Sequence, residues 1–178
     1  MLFFGVGSFA HAELTIDVTK DIESGGIPIA IASFGGGAPE NIAGIIASDL
    51  QRTGKIAPQP AGSRADYAVT GQAQPGGARG YIVQFQLAGA QGAPLLNLSF
   101  DVAPNQLRPV AHKISDLIYE KLTGEKGLAG TRIAYIASGG GSWYLVVADA
   151  DGQNPRVILR SSQPLMSPAW SPDGGKLA

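Results

Sequence analysis

Cysteine is absent from this 178-residue sequence, and its absence excludes three kinds of site together. Without thiols the chain can form no disulfide bond, no thiolate metal site and no cysteine nucleophile. An excess of positive charge is also missing, because 13 lysines and arginines face 14 aspartates and glutamates. With no basic surplus to neutralise phosphates, the composition disfavours nucleic-acid binding.

Long apolar runs and blocks of like charge are missing as well. No run approaches the roughly 18–20 consecutive apolar residues that a membrane-spanning helix needs, and the scattered single charges do not favour a membrane-surface helix. Hydrophobic residues make up 44% and charged residues 15%, which is typical of a folded domain. The 25 glycines and 12 prolines interrupt the chain often, as expected of short strands joined by turns.

The N-terminus has the pattern of an export sequence. Residues 2–9 are a short apolar run, followed by Ala10-His11-Ala12 and the polar Glu13. Small residues on either side of one variable residue, after an apolar core, are typical of a signal-peptidase site. The basic residues that usually precede such a run are missing, so we expect either that Met1 is a misplaced start or that the sequence is trimmed at its N-terminus. We predict a signal peptide over residues 1–12 and an exported, soluble mature chain beginning at Glu13; the alternative is a buried first strand.

Residues 13–123 alternate between strand and helix patterns. Strands are predicted over residues 13–18, 28–34, 55–57, 67–72, 81–87 and 95–102. Residues 28–34 form a near-continuous apolar run, which is typical of a strand covered on both faces. We expect the prolines after residue 57 to end the third of these strands, and the last two to form a hairpin.

Two helices are predicted among these strands. The first has Pro39 and Glu40 in its first turn and Gly54 at its end. The second is capped by Asn105 and ended by Gly124. The apolar face of each is defined by helical spacing: Ile42, Ile45, Ile46 and Leu50 in the first, and Leu107, Val110, Ala111, Ile114, Leu117, Ile118 and Leu122 in the second. The sequence therefore predicts an α/β domain with a mixed sheet and two helices over residues 13–123.

Beyond a glycine-rich linker at residues 124–130, only short strands and tight turns follow. Strand patterns over 131–137, 143–149 and 156–160 lie at roughly the ten-residue spacing of an antiparallel propeller blade. Residues 131–178 are therefore predicted to form the first blade of a β-propeller and the start of the next. Since a single blade cannot bury its own faces, we expect the sequence to be truncated.

Candidate catalytic and ligand-binding residues are few. His11 should leave with the signal peptide, and His112, expected at the surface or at a boundary, has no second histidine or cysteine with which to bind a metal. Ser142 lacks the Gly-x-Ser-x-Gly frame of a nucleophile elbow. The glycines at 35–37 lack the Gly-Lys-Ser/Thr of a phosphate loop, and residues 149–154 lack the distal Glu of a calcium loop, so a hairpin turn is predicted there. We predict no catalytic, cofactor or metal site.

Three stretches carry a resemblance to a known family. Residues 164–174 read PLMSPAWSPDG, in which Trp fills an inter-blade gap and Ser-Pro-Asp-Gly makes the turn into the next strand; peptidase propellers share this motif. Upstream lie LTGEKG at 122–127 with TRIAY at 131–135, and a helix motif at 39–50 with TGK at 53–55. Taken together, and in their order along the chain, the three stretches resemble the TolB family, the periplasmic β-propeller proteins of the Tol–Pal system. One departure is a connection over residues 56–66 that is shorter than is usual in the family.

The resemblance implies a non-enzymatic periplasmic adaptor without a cofactor. Its partners would be the outer-membrane lipoprotein Pal and the inner-membrane protein TolA, and its role would lie in outer-membrane integrity and constriction during cell division. Pal would bind later blades, which this sequence does not contain. The residues that would engage TolA are those of the mature N-terminal strand: Glu13, Leu14, Thr15, Ile16, Asp17 and Val18. The alternative for this strand is a structural role, permanently docked on the α/β domain.

The sequence leaves two other functions open. The chain could be the propeller-containing N-terminal part of a serine peptidase, which would require a Gly-x-Ser-x-Gly domain further along the chain. It could also belong to a propeller that binds carbohydrate or another small ligand through polar residues at the tops of its blades.

Overall fold

The computed structural model describes residues 25–178. The predicted signal peptide and the predicted strand over residues 13–18 lie outside the described residues. The elements, in chain order, are β1 (Ile27–Ile31), α1 (Ile42–Arg52), β2 (Ile56–Pro60), β3 (Tyr67–Gly76), β4 (Gly80–Ala88), β5 (Pro94–Val102), α2 (Leu107–Thr123), β6 (Arg132–Gly139), β7 (Ser142–Asp149) and β8 (Arg156–Ser161). They form two sheets, which follow one another along the chain.

The first sheet is mixed, as predicted, and has the strand order β2-β1-β3-β4-β5. β1 pairs in parallel with both β2 and β3, so α1 is the crossover between two parallel strands. β3, β4 and β5 then form an antiparallel meander, which includes the predicted β4–β5 hairpin. This sheet and its two helices are called the α/β unit below.

The core of the α/β unit lies between one face of the sheet and the two helices. Alternate residues of β3 and β4, such as Val69, Val83 and Phe85, are buried on this face. On the opposite face Gln72 pairs in register with Gln84, and both side chains are exposed. The predicted apolar faces of both helices are confirmed, because nearly all of their residues belong to this core and Leu117 and Leu122 pack against it.

The predicted start of α1 and the predicted cap of α2 were wrong. α1 begins at Ile42 rather than around Pro39, and the Asn41 side chain caps it by accepting a hydrogen bond of 3.0 Å from the Gly44 amide. Asn105 does not cap α2. It lies inside a short 3₁₀ turn (Pro104–Gln106) that leads directly into the helix. Both glycines predicted at helix ends have left-handed backbone angles immediately after the helices.

The extent of β2 was also predicted incorrectly. We expected prolines to stop this strand, but Pro58 and Pro60 both lie within it. Among residues 25–178, β2 lies at the edge of the sheet and has β1 as its only neighbour. A proline that lacks an N–H group is tolerated at an edge, since one side of the strand needs no ladder hydrogen bonds.

The second sheet is antiparallel with the order β6-β7-β8, which confirms the three strands predicted for the blade; we call it the blade sheet. Its outer strand β8 leaves Val157, Ile158 and Leu159 about half exposed or more, at 60%, 57% and 49%. Beyond it Trp170 forms an isolated antiparallel bridge with Leu177, and the Arg132 guanidinium stacks 5.1 Å from the centre of the Trp170 ring. Among residues 25–178, no helix has the length and apolar character that crossing a membrane requires.

Gly71 in the centre of β3 is required by close packing, because the Phe34 ring lies directly over it. A Cβ atom at this position would collide with that ring and would lie 2.7 Å from the Gln84 carbonyl oxygen. We expect Gly71→Ala to lower the free energy of unfolding by about 1–3 kcal/mol, as overpacking does in a tight core. Urea unfolding of the variant and the parent protein measures the difference.

The matched control is Gly139→Ala at the end of β6, where an added Cβ would meet no atom within 4 Å. This variant should unfold at the same urea concentration as the parent protein or slightly above it. Equal stability of the two variants would contradict the packing argument.

Candidate functional site

The helix α2 connects the two sheets, and its polar side chains meet the turn between β7 and β8. Ionisable groups from α1 and the residues just before it, from α2 and from this turn gather where the α/β unit meets the blade sheet. We call them the interface cluster: Glu40, Asp49, Arg108, His112, Asp149 and Asp151.

Arg108, in the first turn of α2, makes the principal ion pairs across this interface. Its guanidinium pairs with Asp151 and, at 3.4 Å, with Asp149 on the blade side. It also lies 3.6 Å from the Glu40 carboxylate, just before α1. The side chain is only 18% exposed, so water screens these charges less than it screens ordinary surface pairs. One guanidinium therefore links the α/β unit to the blade hairpin.

His112, one turn further along α2, is buried rather than at the surface, so our expectation for it was wrong. Its ring Nδ1 lies 2.7 Å from Asp49 Oδ2, and the side chains of these residues are 4% and 1% exposed. The packing of α1 against α2 places the Asp49 carboxylate beside the His112 imidazole. The hydrogen bond between them satisfies polar groups that would otherwise be costly to bury.

The Asp49 carboxylate is held by two further donors. The Ser115 hydroxyl donates a 2.8 Å hydrogen bond to Asp49 Oδ2, and Arg52 forms an ion pair with Oδ1. Although Ser115, His112 and Asp49 lie together, the serine donates to the aspartate rather than to the imidazole. A nucleophilic serine has to be hydrogen-bonded to the imidazole that accepts its proton, so this arrangement does not activate Ser115.

The second nitrogen of His112, Nε2, is buried and has no hydrogen-bond partner among residues 25–178. It lies 3.9 Å from Asp151 Oδ2, which is longer than a hydrogen bond. The hydrogen bond to Asp49 raises the pKa of His112 above its ordinary value, and the negative charges of Asp49 and Asp151 act in the same direction. Burial and the Arg108 charge oppose this shift.

One potential ligand atom from each of Asp49, His112 and Asp151 lies within 4.8 Å of the other two, a spacing at which a cation could be held. Both carboxylates, however, already pair with guanidinium groups, Asp49 with Arg52 and Asp151 with Arg108. A metal ion would have to displace these internal cations, so we assign no metal to the interface cluster.

Most of the other candidate residues from the sequence lie in turns or take part in structural contacts. The hairpin turn predicted at residues 149–154 is confirmed, with a 2.8 Å hydrogen bond from the Gly152 amide to the Asp149 carbonyl. Ser142 accepts hydrogen bonds from Arg160 at 3.1 and 3.3 Å. Gly35, from the glycine triplet, forms a bridge with Gln72 at the end of the sheet. The candidate partner-binding residues Glu13 to Val18 lie outside the described residues.

The segment over residues 124–130, predicted as a linker, is held against α2. The Asp116 carboxylate accepts hydrogen bonds from the amides of Ala129 and Gly130, at 2.7 and 3.0 Å. Gly127 fits against the same carboxylate so closely that a Cβ atom would overlap it. A cavity of about 330 Å³ lies between α1, α2 and this segment, and Asp49, Ser115 and Asp116 are among the residues that line it. The connection between the sheets is therefore packed against the α/β unit.

Sequence reasoning missed the interface cluster, although one feature of α2 indicated it. Arg108, His112, Ser115 and Tyr119 recur at helical spacing and form a second stripe beside the apolar one. All four are largely or wholly buried. A polar stripe of this kind on a helix indicates a second packed face, but nothing in its spacing identifies Asp49 and Asp151 as its partners.

We expect Arg108→Gln to weaken the contact between the α/β unit and the blade sheet by about 1–3 kcal/mol, because two carboxylates lose their charged donor. Hydrogen–deuterium exchange of the amides at 149–154 should become faster, and the urea midpoint should fall. Arg156→Gln is the control, because Arg156 is exposed and forms no ion pair among residues 25–178. Unchanged exchange at 149–154 in the Arg108 variant would contradict this role.

Asp116→Ala should release residues 124–130 from α2, because two backbone amides lose their acceptor. Tryptic cleavage after Lys126 is then expected to become several-fold faster, since proteolysis follows local opening. Glu120→Ala, an exposed change on the same helix, should leave the cleavage rate as it is. Equal rates in both variants would show that Asp116 does not hold the segment.

Comparisons with known proteins match both parts of the chain. A family model described as the TolB amino-terminal domain matches residues 14–64, and a model described as the TolB beta propeller domain matches residues 119–178. The Tol-Pal system protein TolB of Sodalis glossinidius is 43% identical over an alignment that covers 96% of this chain and 46% of that protein. The corresponding protein of Erwinia tasmaniensis is 42% identical, with 100% of this chain and 47% of the relative covered.

A solved structure agrees with these matches. The crystal structure of TolB from Acinetobacter baumannii superposes with a TM-score of 0.77 at 32% identity, covering 85% of this chain and 43% of that one. The chain thus spans about half the length of the relatives it matches. Since the two TolB family models match in order along the chain and the fold is that of a solved TolB, the chain belongs to the TolB family.

Proposed function

We propose that this protein is a non-enzymatic periplasmic adaptor of the Tol–Pal system, which links the lipoprotein Pal to the inner-membrane protein TolA during outer-membrane maintenance and cell-division constriction. The observation that supports it most is family membership across both the α/β unit and the blade sheet, with relatives named Tol-Pal system protein TolB. As a β-propeller protein, the adaptor would bind Pal through blades beyond this sequence.

The chemistry of the described residues favours a binding protein over an enzyme. The buried ionisable groups of the interface cluster bond to one another across the meeting point of two sheets, and the Ser115 hydroxyl is committed to Asp49. Ser142 accepts from an arginine and has no imidazole beside it among residues 25–178. The peptidase alternative would need a nucleophile elbow beyond this sequence, and no feature of the described residues favours it.

The proposed site for TolA is the mature N-terminal strand, residues Glu13 to Val18. Its alternating polar and apolar residues suit addition to the edge of a partner's sheet. It precedes β1, which is flanked on both sides by β2 and β3, so it would join the α/β unit only at its periphery. An equilibrium between a docked and a free strand would couple TolA binding to Pal binding, provided that Pal favours one of the two states.

Deleting residues 13–18 from the full-length mature protein should abolish capture of TolA and leave capture of Pal unchanged. Pull-down of purified TolA and of purified Pal, on the same protein sample, measures both. Retained Pal binding shows that the propeller is folded, so that a loss of TolA binding can be attributed to the terminus.

The matched control is deletion of residues 19–24, which shortens the terminus by the same length and keeps the strand pattern of residues 13–18. This variant should still capture TolA. Unchanged TolA capture after deletion of residues 13–18 would overturn the proposed site, and the strand would then be a structural part of the α/β unit.

A further inference from the structure

The imidazole of His112 lies between two carboxylates that belong to different parts of the fold. Its Nδ1 is 2.7 Å from Asp49 of α1, and its Nε2 faces Asp151 of the β7–β8 turn at 3.9 Å. Helix α1 belongs to the α/β unit and the turn belongs to the blade sheet. The ring therefore spans the same interface as Arg108, one helical turn away.

When His112 is neutral, only one of these two contacts can be a hydrogen bond. An ionised aspartate only accepts hydrogen bonds, so the single ring proton must lie on Nδ1, where it is donated to Asp49. The lone pair of Nε2 then lies 3.9 Å from the Asp151 carboxylate, and no donor in the described part of the chain satisfies it. A buried acceptor without a donor is costly, and the Asp151 carboxylate is itself an acceptor.

When His112 takes up a second proton, Nε2–H becomes a donor aimed at Asp151. A closer approach of about 1 Å would bring the 3.9 Å separation into the range of a charge-assisted hydrogen bond. That approach moves the turn and α2 toward each other. Both nitrogens of the ring would then be satisfied, and both bonds would be made to charged acceptors.

The surrounding charges, taken from every packed element, favour the second proton. Arg52 of α1 pairs with Asp49, and Arg108 of α2 pairs with Asp149 and Asp151 of the turn and with Glu40 before α1. Four carboxylates thus surround two guanidinium groups. The negative charges therefore outnumber the positive ones, and protonated His112 would supply a third cation.

We propose that His112 is a pH-operated latch between the α/β unit and the blade sheet: protonation joins Asp49 to Asp151 through the ring and tightens the interface that Arg108 already holds. The latch closes as the pH falls and opens as it rises. The latch responds to protonation alone and does not require TolA or Pal.

The direction follows from the raised pKa of His112 in the folded protein. A histidine whose pKa is higher when folded binds its proton more tightly in the folded state. The latch therefore contributes its full stabilisation below the ordinary histidine pKa of about 6.5. This contribution is lost as the pH rises through the folded-state pKa of His112.

The test uses the intact mature protein and two readouts between pH 5 and pH 8. NMR titration of the His112 ring, assigned by comparison with His112→Gln, should give a pKa above the ordinary value. Hydrogen–deuterium exchange at residues 149–154, corrected for the intrinsic effect of pH, should be slower at pH 5.5 than at pH 8. The ratio of open to closed interface should change about tenfold for each unit by which closure raises the pKa.

Asp151→Asn is the decisive variant, because it removes the charge that faces Nε2 and keeps the shape of the side chain. We expect it to lower the pKa of His112, because a negative charge beside the ring is lost, and to remove the pH dependence of exchange at the turn. Asp149→Asn is the matched control, since it removes a charge from the same hairpin and leaves Asp151 opposite the ring; its effects on both readouts should be smaller.

Three results would overturn the latch. They are a His112 pKa at or below the ordinary value, an Asp151→Asn variant that titrates like the parent protein, and exchange at the turn that does not depend on pH. If His112→Gln does not fold, the ring resonance is assigned by its shift between the two aspartate variants, and these variants decide the question.

Discussion

The relation between the two sheets depends on one helix, α2, and on the guanidinium that it carries in its first turn. Arg108 is largely removed from water, and it is paired with Asp149 and Asp151 on the blade side and with Glu40 on the other. Charges in such a place are stabilising only while they remain matched, since removing one partner leaves the others buried without compensation. This requirement restricts how the hairpin between β7 and β8 can lie against the α/β unit.

Helix α2 can serve both sheets because two of its faces are packed. The apolar stripe that includes Val110, Ile114 and Ile118 closes the core against the mixed sheet. The polar stripe that includes Arg108 and His112 meets Asp49 and the blade turn. Asp116, near the middle of α2, holds the segment that leads to β6. Helix α2 is therefore in direct contact with the α/β unit, with the blade turn and with the segment between the two sheets.

The sequence predicted the elements well and their ends less well. Strand alternation and helical spacing identified the mixed sheet, both helices and the three blade strands, because burial of one face leaves a periodic pattern in any sequence. The start of α1 and the cap of α2 were predicted wrongly, since Asn41 and Pro104 act through local hydrogen bonds and backbone angles that periodicity does not reveal. The prolines of β2 misled us because an edge strand tolerates them, and only the strand order shows that β2 lies at an edge.

The sequence by itself determined the class of fold, the resemblance to the TolB family and the lack of a recognisable catalytic motif. All three are local properties, carried by composition, by periodicity and by short motifs such as the one at residues 164–174. The tertiary structure alone decided the surroundings of His112. Asp49 lies 63 residues before His112 in the chain, Asp151 lies in the turn between β7 and β8, and no periodic pattern links the three. Long-range pairs of this kind are formed by packing. Burial then strengthens the interactions between their charges, because little water remains to screen them.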